Sequence, residues 1–429
     1  MTAAIAPAVI ALIAFLLRIF NLGSIKDLIF DEVYYVDNAR DLLQYGVEVS
    51  GPESEFIVHP PVGKWMIGMG IKAFGDNPFG WRIATAIVGT ACIILVALIA
   101  HRLFYSPLFT GMASLLMALD GLALVHSRTA LLDNFLTFFI LLATYFFVAK
   151  RYMVSGLFLG LALATKWSAL YFIALFGAIA LYRAFTHHTG RELILPSLKR
   201  VVAFGLIPIA TYITSWFGWF MSDRGWDRNH GSNPISSFIF YHQEMLNFHT
   251  SLTEKHSYQA NPWSWLVMGR PTSFFYDTPK DCGAASCSRE VLALGTPLLW
   301  WAGTVAAIVV LGLWINSVVH KRFEPALNII TIGIAAGYLP WFIFQERTVF
   351  SFYAIVFEPF VILAIVYCIK LFLDSYRIRG KRTYFLAQTA VGIFVLIIAL
   401  NFLQFLPVFM GSTITYDAWY NLMWLESWI

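Results

Sequence analysis

Eleven runs of apolar residues leave this chain few folds to choose from: 4–22, 81–101, 107–125, 131–149, 153–165, 168–182, 201–220, 297–319, 325–344, 350–373 and 384–407. A bilayer core is crossed by about 20 apolar residues of helix. Within lipid each run must satisfy its own backbone hydrogen bonds, so the runs are expected to be helices and the chain an all-α polytopic membrane protein. With 59% hydrophobic and 13% charged residues among 429, too little polar surface remains for a soluble multidomain protein. The two short runs flanking Lys166-Trp167 read either as one broken span or as two short ones.

Loop charges bear on that choice. Basic residues fall in alternate loops: Arg102; Lys150 and Arg151; Arg183, Arg191, Lys199 and Arg200; Lys321 and Arg322; and Arg377, Arg379, Lys381 and Arg382. Acids there are few, namely Glu192, Glu324 and Asp374. The positive-inside rule makes these loops cytoplasmic. The alternation requires a hairpin at Lys166, which gives eleven spans with the N-terminus inside and the C-terminus outside. Segments 21–80, 126–130, 166–167, 221–296, 345–349 and the tail after 407 then lie on the outer side. The first outer loop (23–80) is expected to hold interfacial helices and the long outer loop (221–296) to form a lid. No fixed-period repeat divides the chain, so 1–429 reads as one transmembrane domain. Run 4–22 lacks the basic flank and cleavage site of a signal peptide and is expected to be retained. The net charge of +4 follows from the loops, and no basic arm for nucleic acid is present.

The unusual polar residues gather on that outer side. Phe30-Asp31-Glu32-Val33-Tyr34-Tyr35 puts two carboxylates just past the first run, where one can take a proton from a hydroxyl at the water interface; a solvated loop start is the plainer alternative. An amphipathic stretch continues to Tyr45 with Asp37 and Asp41 on its polar side. His59-Pro60-Pro61-Val62-Gly63-Lys64 forms a proline-stiffened elbow. Arg82, Arg128, Lys166 and Arg347 are cations at outer span ends, beside Asp120 and Asp133; such charges either snorkel and pair, or converge on an anion such as phosphate. The lid carries His242, His249, His256, Tyr258, Trp263, Trp265 and Arg270. A seven-residue histidine spacing suggests one helical face but lacks the close pairing of a zinc site. Its tryptophans suit a membrane belt or a sugar face. Cys92 and Cys368 lie in apolar runs, whereas Cys282 and Cys287 can bridge if their loop faces an oxidising compartment.

Taken in order, Phe30-Asp31-Glu32, His59 to Lys64, Trp81-Arg82, Leu119-Asp120-Gly121 through Ser127-Arg128 to Asp133, Thr165-Lys166-Trp167-Ser168 and Tyr258 to Trp265 resemble the protein O-mannosyltransferases. The resemblance runs to about Phe360. It implies a GT-C glycosyltransferase fold with about eleven transmembrane helices, transferring mannose with inversion from polyprenyl-phosphate mannose to Ser or Thr hydroxyls of secreted or membrane proteins. Asp31 is then the general base and Glu32 positions the acceptor. The donor-binding set is expected to be His59, Lys64, Arg82, Arg128, Lys166 and Arg347, and the acceptor or lid set Tyr35, His242, His256, Trp263, Trp265 and Arg270. The resemblance is to the bacterial type, since loop 221–296 has no room for the MIR domain of eukaryotic members. It implies a multi-pass plasma-membrane enzyme with an extracytoplasmic site, no required metal or other cofactor, and unfolded secreted polypeptides as acceptors; because these must arrive unfolded on the outer side, the secretion translocon is a candidate partner, though no residue here marks it. Two other readings use the same residues: a GT-C transferase acting on a glycolipid or glycan, and a transporter. The transporter is disfavoured by charges at span ends rather than at the midplane and by the lack of internal repeats.

Overall fold

The computed structural model describes residues 2–280 and 282–429. Seven helical segments among them are long and apolar enough to cross a membrane: Pro78–Phe104, Ala169–His187, Gly190–Ser215, Pro297–Val319, Pro325–Phe342, Glu358–Arg377 and Lys381–Met410. Four shorter apolar helices, Ala4–Ile19, Pro107–Ala118, Leu132–Val148 and Tyr152–Leu163, account for the remaining runs. The chain breaks between Leu163 and Ala169, so Lys166 sits between two helices.

Helix starts follow local chemistry. Asn77 caps Pro78–Phe104 by accepting from the amides of Phe79 and Gly80, each at 3.1 Å, and Pro78 fills a position that needs no N–H. Run 107–125 is not one helix. Pro107–Ala118 ends, Asp120 accepts from the Ala123 amide at 3.4 Å, and Gly121–His126 begins as a separate short helix. Run 350–373 likewise opens with a 3-10 segment, Ser351–Val356, before Glu358–Arg377. Small residues bring helices together. A Cβ at Gly156 would meet the Ala203 carbonyl oxygen at 1.8 Å, so the backbones there touch.

Segment 23–80 contains helices Glu32–Tyr45 and Val62–Phe74, joined through a two-stranded ribbon of β1 (Val49–Ser50) and β2 (Glu53–Ser54). In segment 221–296, helix Pro234–Ser251 opens on a capping box at Asn233. It is followed by β3 (Thr272–Asp277) and β4 (Cys287–Ala293). The tail adds β5 (Thr413–Thr415) to β4, giving an antiparallel sheet in the order β3-β4-β5. These small sheets are an addition to the otherwise helical expectation. Their pairing joins residues 287 and 415, a contact that no local pattern announces.

Candidate active site

Asp31 is set by the residue before it. Phe30 has φ 49, a left-handed conformation costly for a bulky side chain. Its ring is clamped between β3 and segment Ser351–Val356 with its preceding residue, stacked on Phe274 at 4.8 Å and edge-on to Phe352 at 5.4 Å and Phe350 at 5.8 Å. This packing holds the strained turn that starts helix Glu32–Tyr45 with Asp31 at its N-cap. The Tyr35 hydroxyl donates to the Asp31 carboxylate at 3.4 Å. Burial raises the Asp31 carboxyl to about 6, with Lys166 opposing and Asp133 reinforcing the shift.

Glu32 has a different environment. Its carboxylate is fully buried and accepts from Arg82 Nε at 2.8 Å, Arg82 Nη2 at 2.6 Å, the Ala130 amide at 2.8 Å and the Ile29 amide at 3.0 Å. The remaining Arg82 donors go to the carbonyls of Ile25 at 2.8 Å and Asp27 at 2.9 Å. One ion pair therefore ties segment 23–80 to helix Pro78–Phe104 and to the turn at Ala130.

Beside Asp31, Lys166 donates to both Asp133 oxygens at 2.8 and 3.1 Å and lies 4.2 Å over the Tyr353 ring. It also lines a cavity of about 180 Å³ with His59, Trp167, Tyr171, His249, Trp341 and Arg347. His249 Nε2 meets the Val58 carbonyl at 2.8 Å, so it carries the proton, and Nδ1 is left to accept from Arg347 at 3.2 Å. Burial and Arg347 push His249 down to about 4, and burial and Lys166 push His59 well below the ordinary histidine range. Both rings are neutral at pH 7. Arg347 Nε and His59 Nδ1 are buried without a partner among the described residues. An aromatic cavity carrying an undersatisfied guanidinium suits a ligand with an anionic group and a ring face.

A family model described as dolichyl-phosphate-mannose-protein mannosyltransferase matches residues 8–218, and one for the C-terminal four-TMM region of protein-O-mannosyltransferase matches residues 234–428. The chain belongs to the protein O-mannosyltransferase family. It is 32% identical to the polyprenol-phosphate-mannose--protein mannosyltransferase of Mycobacterium tuberculosis, over 99% of this chain and 91% of that protein. To the protein of the same name from Mycolicibacterium smegmatis it is 33% identical, over 98% and 92%. Its fold superposes on the Saccharomyces cerevisiae protein O-mannosyltransferase Pmt1-Pmt2 complex bound to the sugar donor with a TM-score of 0.83, at 15% identity, covering 100% of this chain and 93% of that one. The apo Archaeoglobus fulgidus oligosaccharyltransferase matches less fully, with a TM-score of 0.57 at 13% identity, over 95% and 55%. These likenesses show a GT-C fold.

Within this mannosyltransferase-family fold, the residues expected at the site divide. His59, Lys166 and Arg347 meet around the cavity, and Tyr35 meets Asp31. Arg82 is committed to Glu32. Lys64 is buried in an ion pair with Glu48 and donates to the His59 carbonyl at 3.0 Å, so it braces the elbow instead of facing a donor. Arg128 donates to the carbonyls of Arg18 at 2.7 Å and Phe20 at 2.8 Å, satisfying the end of the first helix. Arg270 holds the tail through the carbonyls of Ser427 at 2.5 Å and Ile429 at 2.6 Å.

The three histidines do not share a helical face. His242 and His249 lie on helix Pro234–Ser251, whereas His256 is beyond its end, beside Phe350 at 5.1 Å. His242 is held by the Tyr212 hydroxyl and the Phe238 carbonyl, both at 2.7 Å. Trp265 is buried and donates to the Ala260 carbonyl at 2.8 Å, while Trp263 is 70% exposed. Cys282 and Cys287 form a disulfide at the β3–β4 tip. Tyr353, Tyr171 and Trp341 were not singled out in the sequence. Lying within apolar runs, they look like lipid-facing aromatics, and nothing in the sequence alone separates them from their neighbours.

Proposed function

We propose that this chain transfers mannose from polyprenyl-phosphate mannose to Ser or Thr hydroxyls of secreted or membrane proteins, with inversion at the sugar carbon. The observation that carries this reading is Asp31, a half-buried carboxylate raised to about 6, next to a cationic, aromatic cavity. Asp31 takes the proton of the acceptor hydroxyl as its oxygen attacks. The leaving lipid phosphate gathers charge, which Arg347 meets with its unpartnered Nε–H and Lys166 with its ammonium. His59 and His249 stay neutral as hydrogen-bonding walls, and Trp167, Tyr171 and Trp341 offer faces for the sugar or the first isoprene units. In this reading no divalent ion is needed, because fixed cations balance the phosphate, and transfer is expected to persist in EDTA.

A transfer assay in membranes with polyprenyl-phosphate mannose, comparing a Ser/Thr-rich peptide with glycolipid acceptors, tests the reading. Transfer to glycolipid alone would replace the protein acceptor, and transfer to neither would remove the proposal. Because the base must be ionised, kcat/KM is expected to fall below about pH 6. A limb near pH 4 would point away from Asp31. Arg347→Gln is expected to lower kcat/KM for the donor by about 100-fold, with acceptor KM unchanged. A change confined to acceptor KM would move Arg347 out of the donor site.

The same proposal places the protein in the plasma membrane with eleven crossings, a cytoplasmic N-terminus, and both the site and the C-terminus outside. Alternating basic loops support that orientation. Unfolded polypeptides leaving the translocon are the natural acceptors, since a hydroxyl must reach Asp31 beneath the lid. Residues 1–429 act as one domain in this account.

A further inference from the structure

We propose that a hollow at the opposite end of the bundle from Asp31 binds the headgroup phosphate of an anionic membrane lipid. Helix Pro78–Phe104 carries Arg82 near one end and Arg102 near the other, a span of roughly 30 Å at helical rise. Around Arg102 lies a cavity of about 1010 Å³ whose wall also includes Lys150, Tyr152, Tyr182, Arg183, Arg200 and Phe323. A smaller hollow of about 300 Å³ continues past Lys150 and Arg200 to Arg151 and Lys199.

None of these six cations makes an ion pair among the described residues. The acid on the rim, Glu324, accepts a hydrogen bond from the Tyr367 hydroxyl. Loop orientation explains an excess of basic residues but not a built cavity, and two of the arginines are built in. The Arg183 guanidinium lies 4.8 Å over Phe323 and 5.5 Å over Phe147. That of Arg200 lies 5.5 Å over Tyr152, with Nη1 on the Pro196 carbonyl at 2.7 Å and Nε buried without a partner. Stacking fixes the planes of both guanidiniums and leaves their edges to donate. Tyr182 and Phe323 are more than half exposed on the rim, as aromatics at a headgroup level are. Converging cations, oriented guanidiniums and an aromatic rim at a bilayer end describe a lipid phosphate site. The inference is independent of the transfer reaction, because it uses no residue near Asp31.

The test is lipid retention. Enzyme taken from nanodiscs of phosphatidylcholine with phosphatidylglycerol is exchanged into a zwitterionic detergent, and bound lipid is measured by native mass spectrometry. Wild type is expected to retain phosphatidylglycerol over phosphatidylcholine, and Arg183→Gln with Arg200→Gln to retain about tenfold less or lower. The pair Arg183→Lys with Arg200→Lys keeps the charge and should fall between. Lys150→Asn offers a variant safe for folding, since Lys150 sits at φ 60, a conformation asparagine tolerates. It should lose about fivefold. Equal retention of the two lipids by wild type, or unchanged retention in folded variants, overturns the proposal. So does displacement by inorganic phosphate as effectively as by lipid, which would make this a site for free anions.

Discussion

Asp31→Asn is expected to lower mannosyl transfer by about 100-fold to 10,000-fold, with the protein folded and at least as stable as wild type. The stability half follows from the direction of the shift. A carboxyl raised from its usual range to about 6 binds its proton more tightly folded than unfolded. Its contribution to stability is full below the unfolded pKa and is lost as pH rises through about 6. At pH 7.5 the ionised, desolvated carboxylate burdens the folded state, and asparagine removes that burden while still accepting from Tyr35. Thermal unfolding of the two proteins at pH 5 and pH 7.5 checks this, with the asparagine variant gaining relative to wild type at the higher pH. Near-normal transfer by Asp31→Asn would end the assignment of Asp31 as base. Loss of transfer with a large loss of Tm at both pH values would make the residue structural.

Arg82→Met is expected to destabilise the fold by about 3–5 kcal/mol. The substitution leaves Glu32 buried with two amide donors and no counter-charge, and strips a donor from the carbonyls of Ile25 and Asp27. Lower yield and a fall in unfolding temperature should precede any specific kinetic effect. Adding Glu32→Gln to Arg82→Met should recover part of the loss, because the unpaired charge is gone. This pair also separates two roles for Glu32. An acceptor-positioning carboxylate would raise acceptor KM in Glu32→Gln with Tm intact, whereas a brace for the first outer loop would cost Tm first. Four hydrogen bonds already on the carboxylate favour the brace.

Much of the membrane fold was readable in the sequence because hydropathy is local: each of the eleven runs became helical, and the break at Lys166 fell between two helices. Partnerships were not readable. Arg82, Arg128 and Lys166 look alike as cations at span ends, yet one closes on a carboxylate 50 residues away, one caps carbonyls more than 100 residues away, and one faces the cavity. Charge is read directly from the residues, but the neighbour that consumes a charge depends on tertiary packing. His249 and Tyr353 illustrate the same limit, since their surroundings form only when the lid helix and the segment Ser351–Val356 meet the Lys166 turn.

The third strand of the β3-β4-β5 sheet has a practical side. Because β5 pairs with β4, Trp419 donates to Glu290 at 2.5 Å and Trp428 is buried with its Nε1 on the Met268 carbonyl at 2.7 Å, residues 413–428 are woven into the β3-β4-β5 sheet and its surroundings. Deleting them to trim a reagent would unravel that sheet. A guest sequence or fluorescent reporter is better accommodated near the exposed β3–β4 connection around Thr278, where the sheet register is already complete on either side.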